Sequence, residues 1–351
     1  MNEQCFVTGG TGFIGQHLLA RLTAKGHPVT LLLRKPAALP ALQLLVEQHG
    51  GKGSLLTAVA GDLAKPQLGL DASGLRQMQQ AKVVFHLGAA FAWGLSLEQG
   101  RAVTVNGAVR VAQLAAEHGS RLLMVSGFML ENQAHLQRIG IDLNDPLQTD
   151  WPALYRRVGG YEGSKLEAHF RVLDCMHQLG GELTVVHPAT VCGDSRSGHI
   201  LPAQPLAELI SNLASGKLSA IPGSAAHWLP LVPVDFLAAL MVAAAFDPQQ
   251  VGRQILALDE RTPNLAQMLE VLAAPLGVQA PRRFLPIGVL RWLLKIPGLP
   301  ALLRTSPESL DFIQTTRFDT SATKALAARH QLAWPDLQQA MQATARFVAV
   351  S

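Results

Sequence analysis

Apolar positions along the chain follow two rhythms. Short, continuously apolar runs at residues 4–8, 29–33, 55–60, 82–87, 121–126 and 183–187 predict buried strands. Between them, residues 15–25, 103–118 and 162–179 carry apolar side chains at helical spacing, Leu18, Leu19 and Leu22 in the first case. Gly26 ends that first helix and Pro28 keeps it from resuming. Apolar strands alternating with helices of ten or more residues predict an α/β fold, a doubly wound parallel sheet covered on both faces. Beyond about residue 190 the rhythm breaks and prolines gather at 202, 205, 222, 230 and 233. The expected organisation is a sheet domain over 1–190 and a smaller C-terminal lobe over 191–351, of which about 228–258 returns to the sheet, with a strand at 254–258.

The first apolar run, Cys5-Phe6-Val7, leads straight into Thr8-Gly9-Gly10-Thr11-Gly12-Phe13-Ile14-Gly15. So many side-chain-free positions suit a very tight turn or the close approach of another group. Glycines at 9, 12 and 15, or at 10, 12 and 15, are a weak signal alone. Between a strand and a helix, inside a strand–helix–strand unit, they have the setting of a dinucleotide-binding loop. Backbone N–H groups at the helix start can then face a pyrophosphate, backed by the positive end of the helix dipole. This makes the expected sheet Rossmann-type, with Gly9, Gly10, Thr11, Gly12, Phe13, Ile14 and Gly15 cradling the cofactor. The second strand ends in Leu33-Arg34-Lys35, where an acidic residue would bind a free ribose diol. A cationic pair suits the 2′-phosphate instead, so NADP(H) is favoured and NAD(H) is the alternative. A solvated surface pair is the plainer reading of Arg34 and Lys35. Asp62 reads either as an adenine-side contact or as an ordinary turn aspartate.

Tyr161 and Lys165 are four residues apart and share one helix face. A tyrosine ordinarily titrates at about 10, so proton exchange near neutrality needs a positive charge beside it. Lys165 can supply that charge and also hydrogen-bond the nicotinamide ribose, while Tyr161 exchanges a proton with the substrate oxygen. Together with TGGTGFIG, Gly61-Asp62-Leu63, His86-Leu87-Gly88-Ala89-Ala90 and Val234-Asp235, this pair follows the order found in extended short-chain dehydrogenases/reductases. The chain most resembles the dihydroflavonol-reductase-like and 3β-hydroxysteroid-dehydrogenase-like branch, the NAD-dependent epimerase/dehydratase family, over roughly residues 3–195. The resemblance implies a Rossmann-type domain, a C-terminal substrate lobe, bound NAD(P) and a Ser/Thr-Tyr-Lys catalytic set. It also implies cofactor contacts at Asp62, Leu63, Leu87, Gly88, Ala89, Lys165, Pro188 and Val191. The last two lie in His187-Pro188-Ala189-Thr190-Val191, which is similar to the family's Arg-Pro-Gly-x-Val. Family members often carry two adjacent hydroxyl residues after the fifth strand, whereas this chain has Val125-Ser126-Gly127-Phe128. Strict alignment puts Gly127 in the catalytic slot. A one-residue shift puts Ser126 there, and Ser126 is expected because no other Ser or Thr lies nearby.

Composition narrows the partners. Hydrophobic residues make up 48% and charged residues 15% of 351, enough for a large core and against disorder. A net charge of +4 without a basic run suits a small anionic ligand better than nucleic acid. Three scattered cysteines have no metal-type spacing, no metal is expected, and the reducing cytoplasm is the expected compartment. The N-terminus does not read as a signal peptide, and no run of about 18 apolar residues predicts a membrane span. A homodimer is compatible with this reading. Phe91, Ala92, Trp93, Leu95, Phe128, Met129, Leu130 and Leu154, with Leu201 and Trp228 from the lobe, are expected to line the substrate site. Only Arg196 offers a clamp for a second diphosphate, so a hydrophobic alcohol or carbonyl is expected rather than a nucleotide sugar. The apolar segment 284–303, interrupted by Pro286, Pro297 and Pro300, is expected to cap the substrate pocket, with a membrane interface as the alternative. The function expected is an NADP(H)-dependent oxidoreductase interconverting a carbonyl and an alcohol on a small molecule. The alternatives are a nucleotide-sugar epimerase or dehydratase and a non-catalytic dinucleotide-sensing regulator.

Overall fold

A strand that is apolar at every position has no side to offer water, and the chain buries such strands between helices. The computed structural model describes residues 2–90, 96–294, 296 and 307–350. Strands β1 (Cys5–Thr8), β2 (Val29–Leu33), β3 (Leu56–Ala60), β4 (Val83–His86), β5 (Arg121–Val125) and β6 (Leu183–Pro188) form within a residue or so of the predicted runs. They are followed by β7 (Thr190–Cys192), β8 (Ile221–Pro222), β9 (Leu231–Pro233), β10 (Gln254–Ala257) and β11 (Phe284–Leu285). One seven-stranded sheet has the order β10-β6-β5-β4-β1-β2-β3. Its pairings from β3 across to β6 are parallel, with Val7 opposite Leu31 on one side and Phe85 on the other. Every residue of β1, β2 and β4 is buried. Edge strand β3 is not, and exposes Thr57 and Ala60. The chain runs outward from β1 to β3 and then returns to lay β4 beside β1. That reversal of strand order leaves a crevice at the carboxyl ends of β1 and β4, where a Rossmann-type sheet receives its ligand.

The helices are α1 (Phe13–Ala24), α2 (Leu39–Gln48), α3 (Ala72–Gln79), α4 (Leu97–Gly100), α5 (Asn106–Glu117), α6 (Gln133–Ile139) and α7 (Trp151–Gln178). Two expectations are corrected here. The helix expected over 103–118 starts earlier, with a five-residue π-helical stretch Arg101–Val105 joining α4 to α5. The helix expected over 162–179 is the second half of α7, whose backbone breaks at Gly159 with φ 81 and ψ 171. A side chain is strained in that region, so glycine is the residue that permits the break. The main core packs Phe6, Val84, Leu122 and Val185 of the sheet against Val111 and Val172 of the helices. A second cluster joins Leu136 and Ile139 to Trp151, Leu154, Tyr155 and Leu166.

The chain forms two compact units, Met1–His187 with Ala238–Leu256, and Pro188–Leu237 with Ala257–Ser351. In the second, β7 pairs with β9 in parallel, Val191 opposite Val232, and β8 pairs with β11. Asp235 of the Val234-Asp235 motif accepts hydrogen bonds from Ser195 N–H at 3.0 Å and Ser195 Oγ at 2.6 Å, which fixes the loop after β7. Arg196 in that loop is exposed.

Several residues expected to line a substrate cavity are packing residues instead. Phe128 and Met129 are 2% and 6% exposed because the short helical turn at 128–131 folds them inward. Leu154 belongs to the second cluster. Trp228 is buried beneath the Arg317 guanidinium, 3.9 Å from its ring, and donates Nε1–H to the Thr316 carbonyl. Phe91, Ala92, Trp93 and Leu95 lie outside the described residues, as does most of 295–303. The described start of that segment is β11 and a helix at Ile287–Leu293 with no buried residue. No helix among the described residues is long and apolar enough to cross a membrane.

Candidate active site

The glycines of the opening loop divide by physical cause. A Cβ on Gly9, which has φ +75, would sit 2.6 Å from the Gly88 nitrogen, and one on Gly15 would collide with the Gly9 carbonyl oxygen. Those two positions are required by the protein's own packing of β1, β4 and α1. Gly12 is different. A Cβ there would meet only the Gly9 oxygen at 3.4 Å, an ordinary contact, so nothing in the protein demands a bare position. Gly12 is also the N-cap of α1, with no side-chain cap and no acidic residue in the first turn. Backbone donors and the positive helix end thus meet a surface kept clear of side chains, which fits a dinucleotide pyrophosphate. Thr11 and Gly12 are exposed, Ile14 is half-buried, and Phe13 is buried.

Around the loop, Arg34 and Lys35 follow β2 directly and are both exposed. Asp62 Oδ1 accepts from the Ala64 N–H at 2.9 Å, which is the turn role. Leu63 fills the space beside Gly88 and Gly107, and its carbonyl accepts from Arg110 at 3.1 Å. Thr8 Oγ1 and His86 Nδ1, 2.7 Å apart, tie the ends of β1 and β4 just before Leu87, Gly88 and Ala89. Pro188 ends β6 and Val191 lies in β7, both in the second unit.

Tyr161 and Lys165 stand one turn apart in α7, immediately past the Gly159 break. Between them, Gly163 faces the Tyr155 ring so closely that a Cβ would lie 3.0 Å from it, and Ser164 is fully buried. Lys165 lines a pocket with His86, Gly88, Ala89, Thr104, Ser126 and His169, and its Nζ donates to the Val125 carbonyl at 3.0 Å. Ser126 is 6% exposed, and its Oγ is buried with no hydrogen-bond partner among the described residues. Gly127 has an extended backbone, φ −157, and open space where a Cβ would be, so it is not required to be glycine.

The electrostatics differ from expectation in one respect. Burial, with the Glu162 carboxylate second, pushes Tyr161 up to about 12, so a lowering by Lys165 does not prevail. Burial brings Lys165 down to about 8. His86 falls to about 3, through burial first and the Lys165 charge second.

The sequence reading missed the groups behind this pocket. Glu167, fully buried, accepts from Arg101 Nε at 3.0 Å and Nη2 at 2.6 Å, from Arg171 Nε at 2.8 Å and from Tyr155 OH at 2.9 Å. Glu162 Oε1 lies 2.6 Å from His135 Nε2, whose Nδ1 faces Arg138 at 2.8 Å. His169 extends the Tyr161, Lys165 spacing by one more turn, a signal that was there to be read.

A sequence profile of the male sterility protein family matches residues 7–241. The chain is 28% identical over 266 residues to the L-2-aminoadipate reductase large subunit of Penicillium chrysogenum, covering 70% of this chain and 19% of that protein. It is 28% identical over 273 residues to the aldehyde reductase lnaA of Aspergillus flavus, covering 71% of this chain and 25% of that protein. It therefore spans about a fifth to a quarter of these curated relatives. Among solved structures, the terminal R domain of the myxalamid PKS-NRPS pathway superposes with a TM-score of 0.75 at 20% identity, over 99% of this chain and 90% of that one. Gre2 from Candida albicans, solved with NADPH, superposes with a TM-score of 0.66 at 19% identity, over 99% and 100%. Both share the fold. The chain belongs to the male sterility protein family, an NAD-binding branch of the extended short-chain dehydrogenases/reductases, a class of NAD(P)-dependent oxidoreductases.

Proposed function

We propose that this chain is an NADP(H)-dependent reductase that converts an aldehyde carbonyl to an alcohol. The glycine loop holds the pyrophosphate, Arg34 and Lys35 meet the 2′-phosphate, and Lys165 holds the nicotinamide ribose. When bound, NADPH supplies the hydride. Tyr161 gives its proton to the carbonyl oxygen, and Ser126 Oγ donates a hydrogen bond to the same oxygen as charge builds on it.

The observation that carries this reading is the convergence in one pocket of Lys165 and the unpartnered Ser126 hydroxyl, one turn from Tyr161. The electrostatics favour the direction of reduction. A phenol held up at about 12 keeps its proton at neutral pH and serves as an acid, whereas oxidation would need it as a base. A curated relative named as an aldehyde reductase agrees with that direction. The buried Phe128, Met129, Leu154 and Trp228 say nothing of the substrate's tail, so the reactive carbonyl defines the substrate class. NADPH oxidation is followed by absorbance over a panel of aldehydes, with wild type and Tyr161→Phe in parallel. The variant is expected to lose roughly 10²–10⁴-fold in kcat while binding NADPH nearly as well. Near-normal turnover by Tyr161→Phe removes the mechanism.

A further inference from the structure

Behind the proposed catalytic pair lies a row of buried imidazoles that this mechanism leaves unused. Tyr161, Lys165 and His169 occupy one stripe of α7 at successive turns. His169 is 3% exposed and lines the same pocket as Lys165. Its ring centroid lies 5.3 Å from that of His187, at 57°, and His187 is fully buried. The Nδ1 atoms of both rings are buried without a hydrogen-bond partner among the described residues. An unsatisfied buried polar atom costs about 1–3 kcal/mol, and two on neighbouring rings call for an explanation. His187 Nε2 lies 2.8 Å from Gln254 Oε1 and 3.8 Å from Glu131 Oε1, and the Glu131 side chain is 36% exposed.

We propose that His169 and His187 relay protons from Glu131, at the surface, to Lys165, replacing the proton that Tyr161 gives up in each reduction. The proposal rests on the aldehyde-reductase reading above. In that reaction the carbonyl carbon gains hydride from NADPH and the oxygen gains the Tyr161 proton. The phenolate takes a proton from the Lys165 ammonium, and the resulting amine takes one from His169. Each imidazole accepts at one ring nitrogen and releases at the other, joined to its neighbour directly or through one water, and so ends unchanged. Glu131 exchanges with bulk water, and the sum is aldehyde, NADPH and one proton giving alcohol and NADP⁺.

The groups facing the row are Lys165 on α7, His86 on β4, Gln254 on β10 and Glu131 on the 128–131 turn. Burial comes first among the causes that keep the rings neutral, lowering His169 and bringing His187 to about 4, with the Lys165 charge adding to both. A neutral imidazole offers one accepting and one donating nitrogen, as a relay needs.

His169→Phe keeps an aromatic ring against Phe170 and removes the proton carrier. It is expected to lower kcat for aldehyde reduction about tenfold or more, most strongly at alkaline pH, with KM and NADPH affinity unchanged. The solvent deuterium isotope effect should rise, the effect of deuterated NADPH should fall towards unity, and added imidazole should restore rate. Glu131→Gln, at the outer end, should move the same quantities in the same direction, and it decides the matter if His169→Phe fails to fold. Wild-type kcat and isotope effects in a folded variant overturn the relay while leaving the reductase reading intact. A wild-type protein that reduces no aldehyde with NADPH removes both.

Discussion

Replacing Lys165 by methionine deletes a charge that folding has to bury and keeps a side chain of similar length. Burial brings Lys165 from 10.5 to about 8. Each pKa unit corresponds to about 1.4 kcal/mol, and the residue is only half-buried, so the ammonium opposes folding by about 2–3 kcal/mol at pH 7. Against this, the variant loses the hydrogen bond to the Val125 carbonyl at 3.0 Å, a charge-assisted contact worth about 1.5–3 kcal/mol. The two nearly cancel at neutral pH, and the pH dependence separates them. Between pH 8 and 10.5 the unfolded chain still binds the lysine proton and the folded protein does not, so wild-type stability rises with pH through that window. The methionine variant lacks this gain. Urea unfolding at several pH values from 7 to 10.5, followed by tryptophan fluorescence, should show wild type gaining about 2–3 kcal/mol on the variant, other titrations cancelling in the difference. A difference that stays flat over the window would mean that Lys165 keeps an ordinary pKa and that the pocket is wet.

Other substitutions test the remaining parts. Arg34→Ala should weaken NADPH about tenfold and leave NADH unchanged, because only NADPH carries the phosphate that a guanidinium grips. Equal losses in titrations of the two cofactors would turn Arg34 towards solvent. Gly15→Ala should lower the melting temperature, since its Cβ meets backbone. Gly12→Ala should leave it within about 2 °C yet weaken NADPH, and a comparable melting loss in both would mean that Gly12 serves the fold. Ser126→Ala should cost roughly 10²-fold in kcat, and an unchanged rate would leave the carbonyl oxygen to Tyr161 or a backbone N–H.

The strands were legible because β1, β2 and β4 are buried on both faces, which writes an unbroken apolar run into the sequence. Helices α2 and α3 were not picked out, although Asp71 caps α3 from its own N-terminus and Pro40 opens α2. The Gly159-Gly160 pair before Tyr161 was a visible sign of a break. That the chain is helical on both sides of it depends on Trp151, Leu154 and Tyr155 finding the second cluster, a tertiary fact. The Tyr161–Lys165 spacing is a local property and could be read directly. The upward shift of Tyr161 could not, because it comes from burial and from Glu162, the next residue along. Phe128 and Met129 were misread for a related reason. An apolar residue in a loop after a strand looks the same in sequence whether it faces a ligand or the core.

Glu167 lies about half a turn around α7 from the Tyr161–Lys165–His169 stripe, on the side facing away from the pocket. Its two oxygens are gripped by Arg101 from the π-helical stretch, by Arg171 one turn along, and by Tyr155 from beyond the Gly159 break. A carboxylate with donors on both sides acts as an indexing pin, because rotating α7 about its axis or sliding it by one residue would strip several charged contacts at once. The angular setting of the reactive stripe is therefore governed from behind. Drift in Tyr161 or Lys165 is limited without any hydrogen bond being spent on the pocket side, where substrate and cofactor need those groups unencumbered.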